Sequence, residues 1–309
     1  MLYQLSYLGG KRRAELPRCE AFFSSFETFP STRIPLMPLL ARSALALALA
    51  LLAPATLLAW KPATQKAIAL EAATLAPPDL ARLLVRHQPE YLRGSVAPLA
   101  DGNAARHMKN ADGSGSLDQT VAAEMTATIE LIRRHRPFAE VVEHMGRISH
   151  FVADANLPLN TANSDPREGA YFRDFLDYAD SARPRFAVVF YGLGPDWQSP
   201  RDIDSWTRAT LARGRQLYPA IGEEYRRIAG IGGIAGLAAT GAIGRGSGIG
   251  GFDDRSTAFA VAALSYSHAI SDVARALRHV WLAAGGSDPR QRLAERRDSL
   301  LVVEAGAGR

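Results

Sequence analysis

Two histidine–aspartate pairs carry the residue types best suited to chemistry in this chain. His150 and Asp154 stand four apart in Ser149-His-Phe-Val-Ala-Asp154, and His268 and Asp272 four apart in Ser267-His-Ala-Ile-Ser-Asp272. Four residues make about one helical turn, so on a helix an imidazole and a carboxylate at this spacing can converge on one metal ion. With 7 histidines and 31 acidic residues among 309, chance alone supplies about 0.7 such pairs, so the weight falls on what surrounds them. Around the first pair, a helix runs into Asn156, Pro158 and Asn160, which stop it just beyond the carboxylate.

The elements that must position these groups read as helices. Residues 62 to 75 are alanine-rich with Ile68, Leu70 and Leu75. Pro77-Pro78-Asp79 restarts a helix carrying Leu80, Leu83, Leu84 and Val85, and Pro89 with Gly94 is expected to end it. A loop with Pro98, Leu99 and Asp101 leads to His107. Asn110 to Asp118 fits several positions of a calcium loop, but Val121 stands where such sites need a bidentate glutamate. A capping box of Ser116 and Gln119 opening a helix over 117 to 136 explains that stretch better. The basic run Arg133 to Arg136 then suits the negative end of its dipole. Pro137 opens the central helix at its first position, where proline is tolerated. Phe138, Val141, Val142, Met145, Ile148, Ser149 and Val152 form its apolar face, and His150 and Asp154 lie opposite. Residues 161 to 200 read as loop-rich, with 185 to 193 a strand or a short buried helix. Further helices are expected over 203 to 218, 222 to 229 and 256 to 283.

With 47% hydrophobic residues and no internal repeat, the chain can bury one substantial helical core. A net charge of +5 favours anionic partners, although the two signs are interspersed. Cys19 is the only cysteine, which excludes an intramolecular disulfide and a thiolate zinc site. Metal ligands must therefore be His, Asp, Glu or a chain terminus. Residues 1 to 36 read as an upstream extension. Residues 37 to 59, with Arg42 before an apolar run from Ser43 to Ala53, read as a secretory signal cut after Ala55 or Ala59, or as an uncleaved anchor. Gly230 to Gly251 reads as a flexible apolar loop, with lipid contact as the alternative, and 286 to 309 as an Arg-rich tail.

His150-Phe-Val-Ala-Asp154-Ala-Asn-Leu-Pro158-Leu159-Asn160 resembles the H-x3-D-x-x-x-P-L-H signature of the zinc-dependent phospholipase C and single-strand-specific nuclease superfamily, departing from it at Asn160. Trp60-Lys-Pro-Ala-Thr64-Gln65 is similar to that family's W-x-P-x-T-H opening, with Gln65 in place of the histidine. The resemblance implies an exported, all-α hydrolase of phosphate esters, a single multi-helix domain over 60 to 285 with a metal cleft between helices and one to three zinc ions. It implies one site from His107, His150 and Asp154, with Asp101 as a further metal or catalytic residue. A second would use His268, Asp272 and Asn160, and a third the Trp60 terminus, Gln65 and a shared Asp154. The substrate would be phospholipid or single-stranded nucleic acid, acted on by a zinc-activated water, in the periplasm or outside the cell. The alternative is a non-catalytic relative that keeps the fold and binds a metal or a phosphate.

Overall fold

The computed structural model describes residues 59–195, 197, 199–229 and 254–289. The expected extension (1–36), all but the last residue of the signal (37–59), the Gly-rich loop (230–251) and all but the start of the tail (286–309) lie outside them.

The described residues form eight α-helices and no strand, within one compact unit. In order they are α1 (Pro62–Leu75), α2 (Pro78–Arg86), α3 (Gln88–Val96), α4 (Leu117–Arg133), α5 (Phe138–Ala155), α6 (Glu168–Ala182), α7 (Pro200–Ala229) and α8 (Thr257–Ala283). Prolines sit in the first turn of α1, α2 and α3, where a missing N–H leaves no helical bond unmade. α8 is capped by Ser256, whose hydroxyl accepts the Phe259 N–H at 3.1 Å. None of the described helices is long and apolar enough to cross a membrane.

Several local expectations are corrected. Pro89 does not end a helix but begins α3. Ser116 makes no capping bond: its hydroxyl donates to the Ala105 carbonyl (3.2 Å), tying the start of α4 to the loop that carries His107. The stretch after the central helix is not all loop, because α6 buries Tyr171, Phe172, Phe175, Tyr178 and Ala179 at helical spacing. Pro219 does not split α7, which runs through it. Residues 185 to 193 are neither strand nor buried helix: beyond a turn ending at Arg185 they run irregularly along α8, with the N–H groups of Val189 and Tyr191 bonded to the hydroxyls of Ser267 and Ser271. The basic run does close α4, ending at His135 in the left-handed region (φ 51°), and Arg133 also donates to Ala283 O at the end of α8.

α5 lies at the centre, packed against α1, α3, α4 and α8. Every residue from Ile148 to Ala155 is buried, so the face opposite its apolar stripe looks onto protein rather than water as periodicity alone suggests. Two glycines set its approach to α3. A Cβ on Gly146 would fall 2.7 Å from Ser95 N and closer still to Tyr91 O, and one on Gly94 would meet the backbone of Glu143. The helices therefore touch backbone to backbone. At this contact the Tyr91 hydroxyl shares a hydrogen with Ser149 Oγ (2.8 Å) and donates to Ala69 O (3.1 Å), joining α1, α3 and α5.

Candidate metal centre

The α3–α5 contact brings the carbonyl of Ser95 to His150 Nδ1 at 2.9 Å. A carbonyl can only accept, so Nδ1 carries the proton and, in neutral imidazole, Nε2 is left as a bare lone pair. Nε2 faces inward, 3.2 Å from Asp154 Oδ2 and 3.3 Å from His107 Nδ1. His107 arrives from the turn Ala104–His107, its Nδ1 2.7 Å from the same Asp154 oxygen and its Nε2 3.3 Å from Asp101 Oδ1. Lys109 N–H, bonded to Asn160 O at 2.8 Å, ties the loop that carries His107 to the turn after α5.

Three donor atoms thus converge, and His107, His150 and Asp154 are all fully buried. Donors about 2.0–2.1 Å from a tetrahedral ion stand about 3.3 Å apart. Two of the three separations match this, and the shorter third fits the hydrogen bond that holds the pair when no ion intervenes. Each histidine also has the outer partner that a metal-bound imidazole needs, Ser95 O for one and Asp101 for the other. The three donors could therefore hold a metal ion. Among the described residues no other group of three His, Cys, Asp or Glu converges in this way.

Without an ion, mutual charge attraction and hydrogen bonding hold the cluster together. Burial alone pushes the His107 pKa down, but the hydrogen bonds and charges of Asp154 and Asp101 outweigh it and hold the pKa above its usual value. For Asp154 burial pushes upward, and the charges and hydrogen bonds of the two imidazoles overcome it, leaving its pKa below the usual range. Phe151 walls the cluster, its ring centroid 5.3 Å from each imidazole, and Arg106 lies over its face at 4.8 Å.

The remaining expected residues fall in different places. Asp101 sits on the far nitrogen of His107 and pairs with Arg106 (2.7 Å), so it orients a ligand of this ion rather than serving as one. Gln65 donates from Nε2 to Asp154 Oδ1 (2.9 Å), while its buried Oε1 has no hydrogen-bond partner. Trp60 is buried beside it, its indole N–H on Ala153 O at 3.0 Å. Asn160 is buried with its Nδ2 3.4 Å from the carbonyl of Asp154. Asp272 is held by protein donors. Its Oδ2 accepts from Arg213 (2.5 Å) and Thr210 (3.4 Å), and its Oδ1 from the Trp206 indole (3.3 Å). His268 stacks on Tyr191 with centroids 4.1 Å apart. Burial and the Arg213 charge push its pKa down against the opposing pull of Asp272.

Ser95 and Arg213 were not marked by the sequence reading. Ser95 acts through its carbonyl, which no side-chain pattern reveals. Arg213 had a signal: Trp206, Thr210 and Arg213 share one face of α7 at spacings of four and three. The known protein-family models and the curated proteins contain no match to this chain.

Proposed function

We propose that this chain is a metal-dependent hydrolase of phosphate esters, phospholipase C-like or nuclease-like, exported from the cell, with zinc held by His107, His150 and Asp154. The observation that carries the metal reading is the convergence of three buried donors whose outer nitrogens are already committed to Ser95 O and Asp101. The phosphate-ester reading rests on the resemblance in the His150-to-Asn160 stretch, and it is supported by the gathering of Trp60, Gln65 and Asn160 at the same end of α5. When bound, an ion of this class supplies Lewis acidity that makes water nucleophilic near neutral pH and neutralises charge on phosphate oxygens. The protein's own residues do the rest. Ser95 O fixes the His150 tautomer, Asp101 holds the His107 ring, and Gln65 occupies one oxygen of Asp154 so that the other faces inward. Phe151 lowers the polarity of the surroundings, strengthening every charge interaction there.

One observation favours a second reading. All three donors are closed off from solvent, whereas a catalytic ion keeps an open position. In that reading the chain is a non-catalytic relative whose ion is structural. Metal analysis of the purified chain, paired with turnover of a generic phosphodiester, of lecithin and of single-stranded DNA, separates the two. Bound zinc with turnover lost in His150→Ala supports the hydrolase, and bound zinc without turnover supports the structural role. Absence of any tightly bound divalent ion overturns both.

A further inference from the structure

His268 and Asp272 have the spacing of a metal half-site, and the resemblance assigns them an ion. The surroundings do not fit one. Three of the four lone-pair positions of the Asp272 carboxylate are already taken by protein donors, two on Oδ2 and one on Oδ1. The strongest of these is a guanidinium, already the positive charge that a buried carboxylate demands. Arg213 is fixed from two sides, because the same NH2 group also donates to Asn156 Oδ1 at 2.8 Å, two residues beyond Asp154. A divalent ion beside Asp272 would therefore have to displace a cation that is covalently part of α7. His268 supplies at most one nitrogen donor, and no third acidic or histidine ligand converges on the pair among the described residues.

We infer that Arg213 is a built-in cation standing where the His268–Asp272 pair would otherwise take a second metal ion, so that this pair binds none. The neighbouring centre at His107, His150 and Asp154 is a separate question, and the experiment distinguishes the two. Zinc bound at equilibrium is counted for the full chain and for His268→Ala, and folding equilibria are measured for Arg213→Gln, Asp272→Asn and the double variant. The expected results are an equal zinc count in wild type and His268→Ala, and a double variant less destabilised than the two single effects predict, by a coupling of roughly tenfold in the folding constant. A zinc count of zero in both proteins sinks the reading of the His107 centre while still agreeing with an ion-free His268–Asp272 pair. A count that falls by one in His268→Ala overturns the inference. So does additivity of the Arg213 and Asp272 variants, since a guanidinium that does not neutralise the carboxylate is not standing in for an ion.

Discussion

The close contact of α3 with α5 makes Gly146→Ala the most informative single change. The added methyl carbon would stand 2.7 Å from Ser95 N and 2.9 Å from Gly94 C, against ordinary contacts of 3.4 Å or more, and its neighbours are backbone atoms that no rotamer change can move. The helices must separate by something on the order of 1 Å, an overpacking strain of about 1–3 kcal/mol. Separation also weakens the Ser95 O–His150 and Tyr91–Ser149 hydrogen bonds, at about 0.5–1.5 kcal/mol each. Alanine's better helix propensity returns about 1 kcal/mol. The net loss is about 3 kcal/mol, or roughly 6–12 °C in Tm for a unit of this size. Gly169→Ala is the matched control: it lies in α6 with no atom within 4 Å of its added carbon, and it should be neutral or stabilise by up to about 0.5 kcal/mol. Thermal and urea melts, with metal content measured alongside, read both variants. If Gly146→Ala melts within about 2 °C of wild type and retains its metal, the backbone contact does not position His150 as argued.

Other perturbations test other parts of the same network. Asp101→Ala should weaken metal affinity by roughly 10–100-fold while leaving the fold intact, because it removes the outer partner of His107 rather than a donor, and competition with a chelator measures it. Burial pushes the Glu124 pKa up, but the nearby His144 imidazole and the hydrogen bonds and charge of Arg147 bring it down to about 2. Its stabilising contribution is therefore present above pH 4.5 and lost as pH falls towards 2, and Glu124→Gln should flatten that acid limb in urea melts across pH. Glu168 behaves oppositely, because burial lifts it to about 7 against the hydrogen bond from Tyr218. Its contribution is present below pH 4.5 and lost as pH rises through about 7, so Glu168→Gln should remove a decline in stability across that interval.

The helical architecture was legible because apolar spacing of 3.6 is strong in the segments that became α2 and α5, while α1 announces itself by its alanine content. Errors came where a local signal was read without its neighbours. Pro89 reads as a stop and 219 to 221 as a break between two helices, yet Pro89 opens a helix and Pro219 lies within a 30-residue one. Residues 168 to 182 read as part of a loop, although Tyr171, Phe172, Phe175 and Tyr178 carry the spacing of a helical face. In the site, the His150–Asp154 pair and His107 could be named from residue type and order, and the structure brings them together. The fate of the second pair could not be read from its own segment. His268 and Asp272 keep the same spacing as the first pair, and what decides their chemistry is Arg213, some sixty positions earlier in the chain and on another helix. Spacing within one helix reports which side chains can point together, while the partner facing them is set by tertiary packing.

Full enclosure of the His107–His150–Asp154 cluster has a kinetic side. An ion held there would leave only when the structure parts locally, and the segment between Ala97 and His107, built of two short turns rather than long helix, is where such opening should cost least. Release would then be timed by the breathing of that segment and independent of how much scavenger surrounds the protein, so an ion acquired during folding becomes a long-lived passenger.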